Sequence, residues 1–525
     1  MLPFARPLIL CLAVAFAAAA PAAAAEPTEL QRLLDGGTGP RLHEAGALRA
    51  FYRHRSWKPA WPGAKGEAMI REVQAIAHAE GLADDSYGLP HAASEVERDL
   101  LISDTVARFA RDLAIGRVAP TRAVGGMGPE TRPSADPLRL LRELSGGKAL
   151  AAAAEALPPP YVGYRRLRAA LERYRALVAA GGWPTLPDGP SIKPGMEDER
   201  VPLLRRRLVA AGDLAASDDS GTVLDDTLAA GLRRFQARHG IEPDGAVGRQ
   251  TLAALNASAE ERLRQIAVNL ERWRWMPRAL APEHIAVNLP AAHLELVRGG
   301  TIAMAMRVVV GDVKHQTPSM MTTMSSVVFN PTWTVPPTIA TKEILPKLKK
   351  EPGYLAANNM TILDAFTPDS PEAQGVGIDW SSHRTFPWRL RQRPGPDNAL
   401  GQVKFTLSNS DDIYLHDTPK RQYFGRIFRA LSHGCVRLER PVDLAQALLA
   451  PDWAARVPDL IAETETKTIR LERPLTVYLM YMTAWADEDG TVHFRDDLYG
   501  HDGRLRAALK RPRAVAEAGG ADGGR

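Results

Sequence analysis

The stretch that decides the fold is DDIYLHDTPKRQYFGRIFRALSHGCVRLERP, residues 411–441. DDIYLH has the alternation of a strand and ends at His416, while PVDLAQALLA at the end of the stretch predicts a helix. Cys435 lies between them, 19 residues after His416, and a second histidine, His433, precedes it closely. We expect an antiparallel neighbouring strand to bring His416 to Cys435.

Whether the chain is exported from the cytoplasm determines how Cys435 is interpreted, because disulfides form outside the cytoplasm. The N-terminus has one basic residue, Arg6, then an apolar stretch and small residues, which is the layout of a secretory signal peptide. We place the signal peptide at residues 1–25, with cleavage near Ala25. The apolar stretch is short for a membrane span, which needs about 20 residues. An uncleaved membrane anchor is the alternative.

Removal of the signal peptide leaves Cys435 as the single cysteine, because the chain has 2 cysteines and Cys11 lies in the apolar stretch. A lone cysteine in an exported chain has no internal disulfide partner. A buried small apolar residue is the structural alternative. The polar and flexible neighbours of Cys435 favour a reactive thiol.

Length and composition predict a soluble multidomain protein. The chain of 525 residues is 45% hydrophobic and 24% charged, which suggests about three domains. The net charge of +5 suits an arginine-rich surface or contact with an anionic polymer such as cell wall. No Lys/Arg-rich run with interleaved aromatic residues is present, so nucleic acid is not a predicted partner.

The fold class that we predict is multidomain α+β. Helical periodicity over residues 26–185 predicts a scaffold domain, and residues 195–257 predict a small three-helix module after a Gly/Pro-rich linker. From about residue 284 the apolar period changes to two, so residues 258–510 predict a mainly-β domain. We expect a helical insertion over about 338–400 and a disordered tail over 511–525.

Acyl transfer is the chemistry that suits Cys435. A thiol needs a base or a positive charge to become a thiolate, and both His416 and His433 are candidates. The backbone N–H groups of Gly434 and Cys435 are candidate donors to an oxyanion. Arg437 is a candidate for holding a substrate carboxylate, with a surface ion pair as its alternative role.

Zinc binding by His416, His433 and Cys435 is the competing interpretation. The sequence has no H-E-x-x-H motif and no second cysteine pair, and a zinc ion would quench the thiol as a nucleophile. We therefore predict no metal.

The upstream histidine followed by SHGC resembles the L,D-transpeptidase signature. NPTWTVPPTIATKEILPKL (330–348) and PGPDNALGQVKF (394–405) resemble the large, YcbB-like branch of that family, which has a YkuD-like catalytic domain. The segment that runs from LRRRLVAAGDL (204–214) through FQARHGIEPDGAVGRQTLAALN (235–256) resembles its small peptidoglycan-binding module. FYRHRSWKPAWP (51–62) and RDLAIGRVAPTR (111–122) resemble the N-terminal region of the same branch.

The resemblance implies roles for these residues. His416 would be the base that activates Cys435, oriented by the backbone carbonyl of Asp417, and His433 would support it. Arg437 stands where the family often has asparagine. The insertion would be a lid over the substrate groove. The substrate-binding candidates are Ser432, Arg437, Asp417, Tyr414, Asn330 and Trp333.

The resemblance also implies a reaction without metal or organic cofactor. Cys435 would attack a tetrapeptide stem before its final D-Ala, and an amine of a neighbouring stem's diamino acid would resolve the thioester into a 3→3 cross-link. Carbapenems would acylate the same thiol. The protein would be periplasmic, with peptidoglycan stem peptides as partners, other wall-synthesis proteins as further candidates, and membrane contact only through an uncleaved signal segment.

Other functions stay open at this point. One is a non-catalytic wall-binding scaffold, and another is a zinc peptidase with a wall-binding module. With the same thiol, water as acceptor would give an L,D-carboxypeptidase and a free D-amino acid an exchange enzyme, while a protein lysine would give an attachment enzyme.

Overall fold

The computed structural model describes residues 27–511 apart from 36–38, 83, 129–131, 217–219, 364–371 and 374–376. The predicted signal peptide and nearly all of the predicted disordered tail lie outside these residues. Within them, no helix combines the length and the apolar character that a membrane span requires.

Eighteen α-helices occur in the described ranges, besides short 3₁₀ and π-helical turns. They are α1 Glu29–Asp35, α2 Ala45–His54, α3 Ala64–Ala79, α4 Glu95–Ile115, α5 Pro137–Ser145, α6 Leu150–Ala154, α7 Val162–Ala179, α8 Val201–Ala210, α9 Asp226–Arg238, α10 Arg249–Asn256, α11 Ala259–Arg274, α12 Pro337–Ile339, α13 Leu345–Lys350, α14 Tyr354–Ala357, α15 Pro441–Leu448, α16 Pro451–Ala455, α17 Val457–Ala462 and α18 His501–Lys510.

Fifteen strands occur in the same ranges. They are β1 Glu283–Asn288, β2 His293–Arg298, β3 Thr301–Gly311, β4 Met320–Phe329, β5 Trp333–Val335, β6 Met360–Leu363, β7 Glu372–Ala373, β8 Arg389–Gln392, β9 Val403–Leu407, β10 Leu415–His416, β11 Ala430–Ser432, β12 Val436–Leu438, β13 Lys467–Met480, β14 Ala484–Ala486 and β15 Val492–Phe494.

Helices α1 to α6 share one apolar core, which extends from Leu30 to Leu157. Helix α4 is its centre, because most of its residues are buried. Ser94 caps the start of α4 by accepting a hydrogen bond from the Glu97 N–H, and the helix ends at Gly116, whose φ of 79° a residue with a Cβ rarely adopts.

Helix α7 does not join that core. Its apolar face, which includes Tyr164 and Leu171, packs against α11 and against the hairpin of β14 and β15. The helical N-terminal region and the C-terminal half of the chain are therefore bound by a shared core rather than separated at residue 185.

Helices α8, α9 and α10 form a small module with its own core. Asp225 caps α9 by accepting a hydrogen bond from the Leu228 N–H at 2.8 Å. The buried amide of Gln236 donates to Asp244 at 2.7 Å and accepts from the Gly245 N–H at 2.8 Å, so it holds the turn between α9 and α10.

Helix α11 carries buried charges that tie distant parts of the chain together. Arg272 pairs with Asp502 of α18 at 2.6 Å, and Arg274 pairs with Glu271 at 3.3 Å. Arg274 also donates to the backbone carbonyl of Glu80, beyond the end of α3. A buried charge is tolerated only when it is paired, so these contacts fix α11 between the two halves.

The β-rich domain is a nine-stranded sheet in the order β11-β3-β12-β10-β9-β4-β13-β1-β2. Strand β2 also pairs with β3, which closes the sheet on itself around a core of apolar side chains. Helices α15, α16 and α17 cover this core after β12. The fold class is confirmed: a helical N-terminal region, a small helical module and a β-rich domain.

The insertion differs in part from the helical lid that the sequence predicts. It contains α12, α13 and α14, but also a second sheet in the order β5-β8-β6-β7. An apolar core of its own, which includes Leu348, Trp380 and Leu390, lies beneath that sheet. Its strands have two to four residues, which is too short for a clear period-two pattern in the sequence.

Acid should weaken the contact between the small module and the β-rich domain. His239 follows α9 and stacks on Phe235 at 3.9 Å and on Phe494 of β15 at 5.5 Å. Burial, followed by the charge of Arg238, lowers the pKa of His239 well below 6.5. The unfolded chain therefore binds a proton at this histidine more readily than the folded chain does. The contribution of neutral His239 to the free energy of unfolding is complete above about pH 6.5 and falls as the pH decreases.

We expect the free energy of unfolding to decrease between about pH 7.5 and pH 5, and we expect His239→Phe to reduce that slope because Phe cannot titrate. Chemical denaturation of both proteins at both pH values measures the effect. Equal slopes for the two proteins would contradict the assignment.

Candidate active site

Three basic side chains lie side by side on one face of the sheet. Strand β10 pairs with β12 in parallel, so His416 is opposite Arg437, and it pairs with β9 in antiparallel, so His416 is also opposite Lys404. Leu415 and Val436, which alternate with them, point into the core. Because side chains alternate along a strand, the three basic residues face away from that core.

The thiol of Cys435 belongs to the same face. The Val436 N–H donates to the Tyr414 carbonyl at 3.1 Å. Tyr414 therefore lies beside Cys435, on the same sheet face as the pair of His416 and Arg437 and two residues before it on each strand. The Cys435 thiol donates to the Asp412 carbonyl at 3.5 Å, and the Tyr414 hydroxyl lies within hydrogen-bonding reach of the sulfur.

The expected antiparallel pairing of the two catalytic segments is wrong, because β10 and β12 run in the same direction. Parallel neighbours need a long connection, and the segment between them provides it through β11 and a helical turn at Arg421–Gly425. The closeness of Cys435 to the strand of His416, which the sequence predicts, is nevertheless present.

A tight turn presents the Cys435 thiol. Gly434 has a φ of 114°, which residues with a Cβ rarely adopt. The Ser432 hydroxyl accepts from the Gly434 N–H at 3.2 Å and donates to the Cys435 carbonyl at 2.6 Å. Buried Ser432 therefore shapes the turn, which is a different role from the predicted contact with substrate.

This turn leaves one candidate oxyanion donor instead of two. The Gly434 N–H is engaged by Ser432, whereas the Cys435 N–H has no acceptor in the part of the chain that the structure describes. The Gly434 carbonyl accepts from the Thr317 hydroxyl at 2.6 Å. The carbonyl and N–H of one trans peptide point in opposite directions, so Thr317 directs the Cys435 N–H away from itself.

Thr317 is itself held by the end of β3. Its hydroxyl accepts from the Gly311 N–H at 2.8 Å, and the Tyr499 hydroxyl donates to the Gly311 carbonyl at 2.7 Å. Sequence reasoning missed Thr317, because Gly434, which links it to the site, is 117 residues later in the chain and no local pattern distinguishes it.

The surroundings of Cys435 and His416 favour the uncharged forms of both side chains before reaction. Burial raises the pKa of the Cys435 thiol, while Tyr414, Lys404 and Arg437 oppose that rise. Burial, and then the charge of Arg437, lowers the pKa of His416 to about 3. At neutral pH the imidazole is therefore free of its second proton and able to accept one.

The orientation of His416 follows the prediction only in part. Its ring is 4% exposed and contacts the Tyr414 ring at 5.5 Å between centroids. The backbone carbonyls of Asp417 and Leu400 lie near enough to favour the protonated ring. However, Nδ1 is buried and makes no hydrogen bond with any described residue, so the expected bond to the Asp417 carbonyl is not formed in this geometry.

The His433 side chain faces the insertion, whereas the prediction has it support His416. Its Nε2 contacts the Glu343 carboxylate at 2.6 Å, and its ring lies tilted against that of His315, with 4.5 Å between centroids. Glu343 lies in a π-helical turn, Ala340–Ile344, a kind of irregularity that is frequent at functional sites. Across the described ranges, no three His, Cys, Asp or Glu side chains are grouped as metal ligands.

Two predicted substrate-binding residues have structural roles. Asn330 is 6% exposed and donates to the carbonyls of Leu460 and Glu463, so it joins the end of β4 to the end of α17. The Asp417 side chain accepts from the Gln402 N–H at 2.9 Å and pairs with Arg421, also at 2.9 Å. Neither side chain is available to a substrate.

The three remaining predictions, Tyr414, Trp333 and Arg437, fall in the site. Trp333 of β5 lies within hydrogen-bonding reach of the Tyr414 hydroxyl, so the insertion contributes an aromatic wall. Arg437 is half-buried, and its Nε has no hydrogen-bond partner among the described residues. Its charge is therefore directed at the site rather than used in a surface ion pair.

Gly434→Ala should disable the site. The positive φ costs about 1–3 kcal/mol for a residue with a Cβ, and that Cβ would be 3.3 Å from Ile413. We expect a lower melting temperature and a slower reaction of Cys435 with acylating reagents. Gly425→Ala is the control, because its added Cβ meets no atom within 4 Å. Equal behaviour of the two variants would contradict the requirement for glycine.

Glu343→Gln should open the lid more often, because the contact with His433 links the lid to the nucleophile turn. An exposed contact of this kind is worth about 0–1 kcal/mol, so we expect up to about a fivefold faster alkylation of Cys435 by iodoacetamide. Glu351→Gln, on an exposed part of the same insertion, is the matched control. Unchanged rates in both variants would show that the contact does not restrain the lid.

Comparison with known proteins now identifies the domains. Residues 282–465 match the L,D-transpeptidase catalytic domain (YkuD), residues 46–171 match the "Scaffold domain", and residues 197–255 match the "Putative peptidoglycan binding domain". The curated "Putative L,D-transpeptidase" of Haemophilus influenzae is 38% identical over 268 residues, which are 50% of this chain and 53% of that protein. The chain thus spans about half the length of this relative.

Two solved structures give weaker likenesses. An L,D-transpeptidase from Mycobacterium smegmatis is 14% identical over 38% of this chain and 58% of its own, with a TM-score of 0.18. An L,D-transpeptidase from Stackebrandtia nassauensis is 16% identical over 57% of this chain and 96% of its own, with a TM-score of 0.20. TM-scores this low carry no argument, so the family rests on the sequence matches: residues 282–465 are an L,D-transpeptidase catalytic domain of the YkuD family, in a chain that also has a peptidoglycan-binding domain.

Proposed function

We propose that this protein is a periplasmic L,D-transpeptidase that forms 3→3 cross-links in peptidoglycan through a thioester on Cys435. The observation that carries the proposal is the shared sheet face of Cys435, Tyr414, His416 and Arg437, inside the matched catalytic domain. A thiol and a neutral imidazole on one face of a sheet are the groups that acyl transfer requires.

In the first step, the His416 imidazole accepts the proton of the Cys435 thiol, and the sulfur attacks the carbonyl carbon between the third stem residue and D-Ala. The Cys435 N–H donates to the developing oxyanion. The carbon–nitrogen bond then breaks, and D-Ala leaves with the proton that His416 holds. The product of this step is a thioester.

In the second step, the side-chain amine of the third residue in a neighbouring stem attacks the thioester carbonyl. His416 accepts a proton from that amine, and the carbon–sulfur bond breaks. The sulfur leaves as a thiol after it recovers the proton. The atoms balance without a metal or an organic cofactor.

The remaining parts of the chain suit a polymeric substrate. The small module matches a peptidoglycan-binding domain and packs on β15, because Arg238 donates to the Val492 carbonyl at 3.1 Å. Trp333 and Glu343 bring the insertion to the edge of the site, as a lid over a stem peptide would require. The match to domains that act on peptidoglycan supports a location outside the cytoplasm.

The decisive test is intact-mass spectrometry of the mature protein after incubation with a carbapenem, beside Cys435→Ala. We expect one adduct on the parent and none on the variant, because the thiol is the nucleophile. A parent that takes up no adduct while Cys435 is reduced would overturn the assignment of the nucleophile.

Muropeptide analysis then distinguishes the acceptors. Incubation with tetrapeptide-containing sacculi should produce 3→3 dimers and release D-Ala. Tripeptides without dimers would show that water is the acceptor, and incorporation of an added D-amino acid would show exchange.

A further inference from the structure

Lys404 is a cation at the active site that the proposed chemistry does not yet use. It lies on β9 directly opposite His416, with its side chain on the site face of the sheet. Its ammonium group is 4.2 Å from the centroid of the Tyr414 ring, and Tyr414 is the residue beside the Cys435 thiol.

Unlike Arg238 and Arg272, half-buried Lys404 forms no ion pair with a described carboxylate, and Asp412 is the acidic side chain that acts on it electrostatically. Arg238 pairs with Asp213 at 2.5 Å and Arg272 with Asp502 at 2.6 Å. In the described part of the chain, no carboxylate lies within 4.0 Å of the Lys404 ammonium group, and none lies within that distance of Arg437. An unpaired cation that is partly buried costs stability unless another charge compensates it.

The compensating charge would be the thiolate. We propose that Lys404 is a positioning residue that stabilises the Cys435 thiolate, together with Arg437 on the other side of His416. This inference rests on the proposed function, because it assigns the thiolate as the nucleophile. Burial and the charge of Arg437 lower the pKa of His416 to about 3, so the cations that act on Cys435 before reaction are Lys404 and Arg437.

The surroundings of the thiol show what else would affect its titration. The charged and titratable side chains around it are Lys404, Tyr414, His416 and Arg437 of the sheet, Asp412 of the preceding turn, and His315, His433 and Glu343 of the loops and the lid. Lys404 and Arg437 are the cations among them that interact with Cys435 directly.

The electrostatic interaction supports the geometry. Lys404 and Arg437 both counteract the rise in the pKa of Cys435 that burial causes. The thiolate in turn favours the charged form of Lys404, whose pKa burial lowers. The interaction is reciprocal, as it must be for two groups that titrate next to each other.

The test is the pH dependence of alkylation of Cys435 by iodoacetamide, a small neutral reagent that reacts with the thiolate. We expect Lys404→Met to shift the midpoint upward by about one pH unit, so that the rate near pH 7 falls about tenfold. We expect Lys404→Arg to keep the parent profile, because the charge is retained. The control is Lys467→Met, which removes a strand lysine that lies over Trp453.

Circular dichroism and thermal melting verify that each variant is folded, and Lys404→Gln takes the place of Lys404→Met if the latter does not fold. A Lys404→Met profile that coincides with the parent profile would overturn the inference. So would an unchanged profile together with a higher KM for a tetrapeptide donor, because Lys404 would then bind a substrate carboxylate.

The alkylation experiment tests the role of Lys404 independently of the proposed function. Alkylation needs no peptidoglycan, so a shifted profile supports the role of Lys404 whether or not cross-links form. Cross-linking activity with an unshifted profile would keep the transpeptidase proposal and remove Lys404 from it.

Discussion

The candidate site depends on a two-residue parallel pairing between β10 and β12. This short ladder places Tyr414 beside Cys435 and His416 beside Arg437, and β9 adds Lys404 to the row from the other side. A shift by one residue would turn every one of these side chains into the core, because neighbouring side chains alternate between faces. Strands β4 and β3 flank this ladder and hold its register as part of a closed sheet.

The backbone of the nucleophile turn is organised before any substrate arrives. Thr317 holds the Gly434 carbonyl, and Ser432 holds both ends of the turn, so the Cys435 N–H is left as a directed donor. Burial favours the uncharged forms of the thiol and the imidazole, and Lys404 and Arg437, which form no ion pair with a described carboxylate, lie next to them. Such a site is weakly reactive until a thiolate forms, and the surrounding charges then favour that thiolate.

The sequence predicted which residues form the candidate site better than it predicted their spatial arrangement. Cys435 was identifiable because removal of the predicted signal peptide would leave it without a disulfide partner, and the signature with His416 carried the rest. The parallel strand direction was not predictable, since a two-residue strand has no period of its own. Lys404 was missed because one lysine in VKFTL looks like an ordinary solvent-facing strand residue. Asn330 was misassigned because its contacts with Leu460 and Glu463 come from a helix more than a hundred residues later.

The buried pair between Arg272 and Asp502 has a consequence for the order in which the chain assembles. Asp502 belongs to the last helix, whereas Arg272 lies on α11, which also contacts Glu80 near the other end of the chain. Arg272 has no acidic partner to accompany it into the interior until the helix of Asp502 is in place. The packing of the β-rich domain on the helical region therefore requires α18.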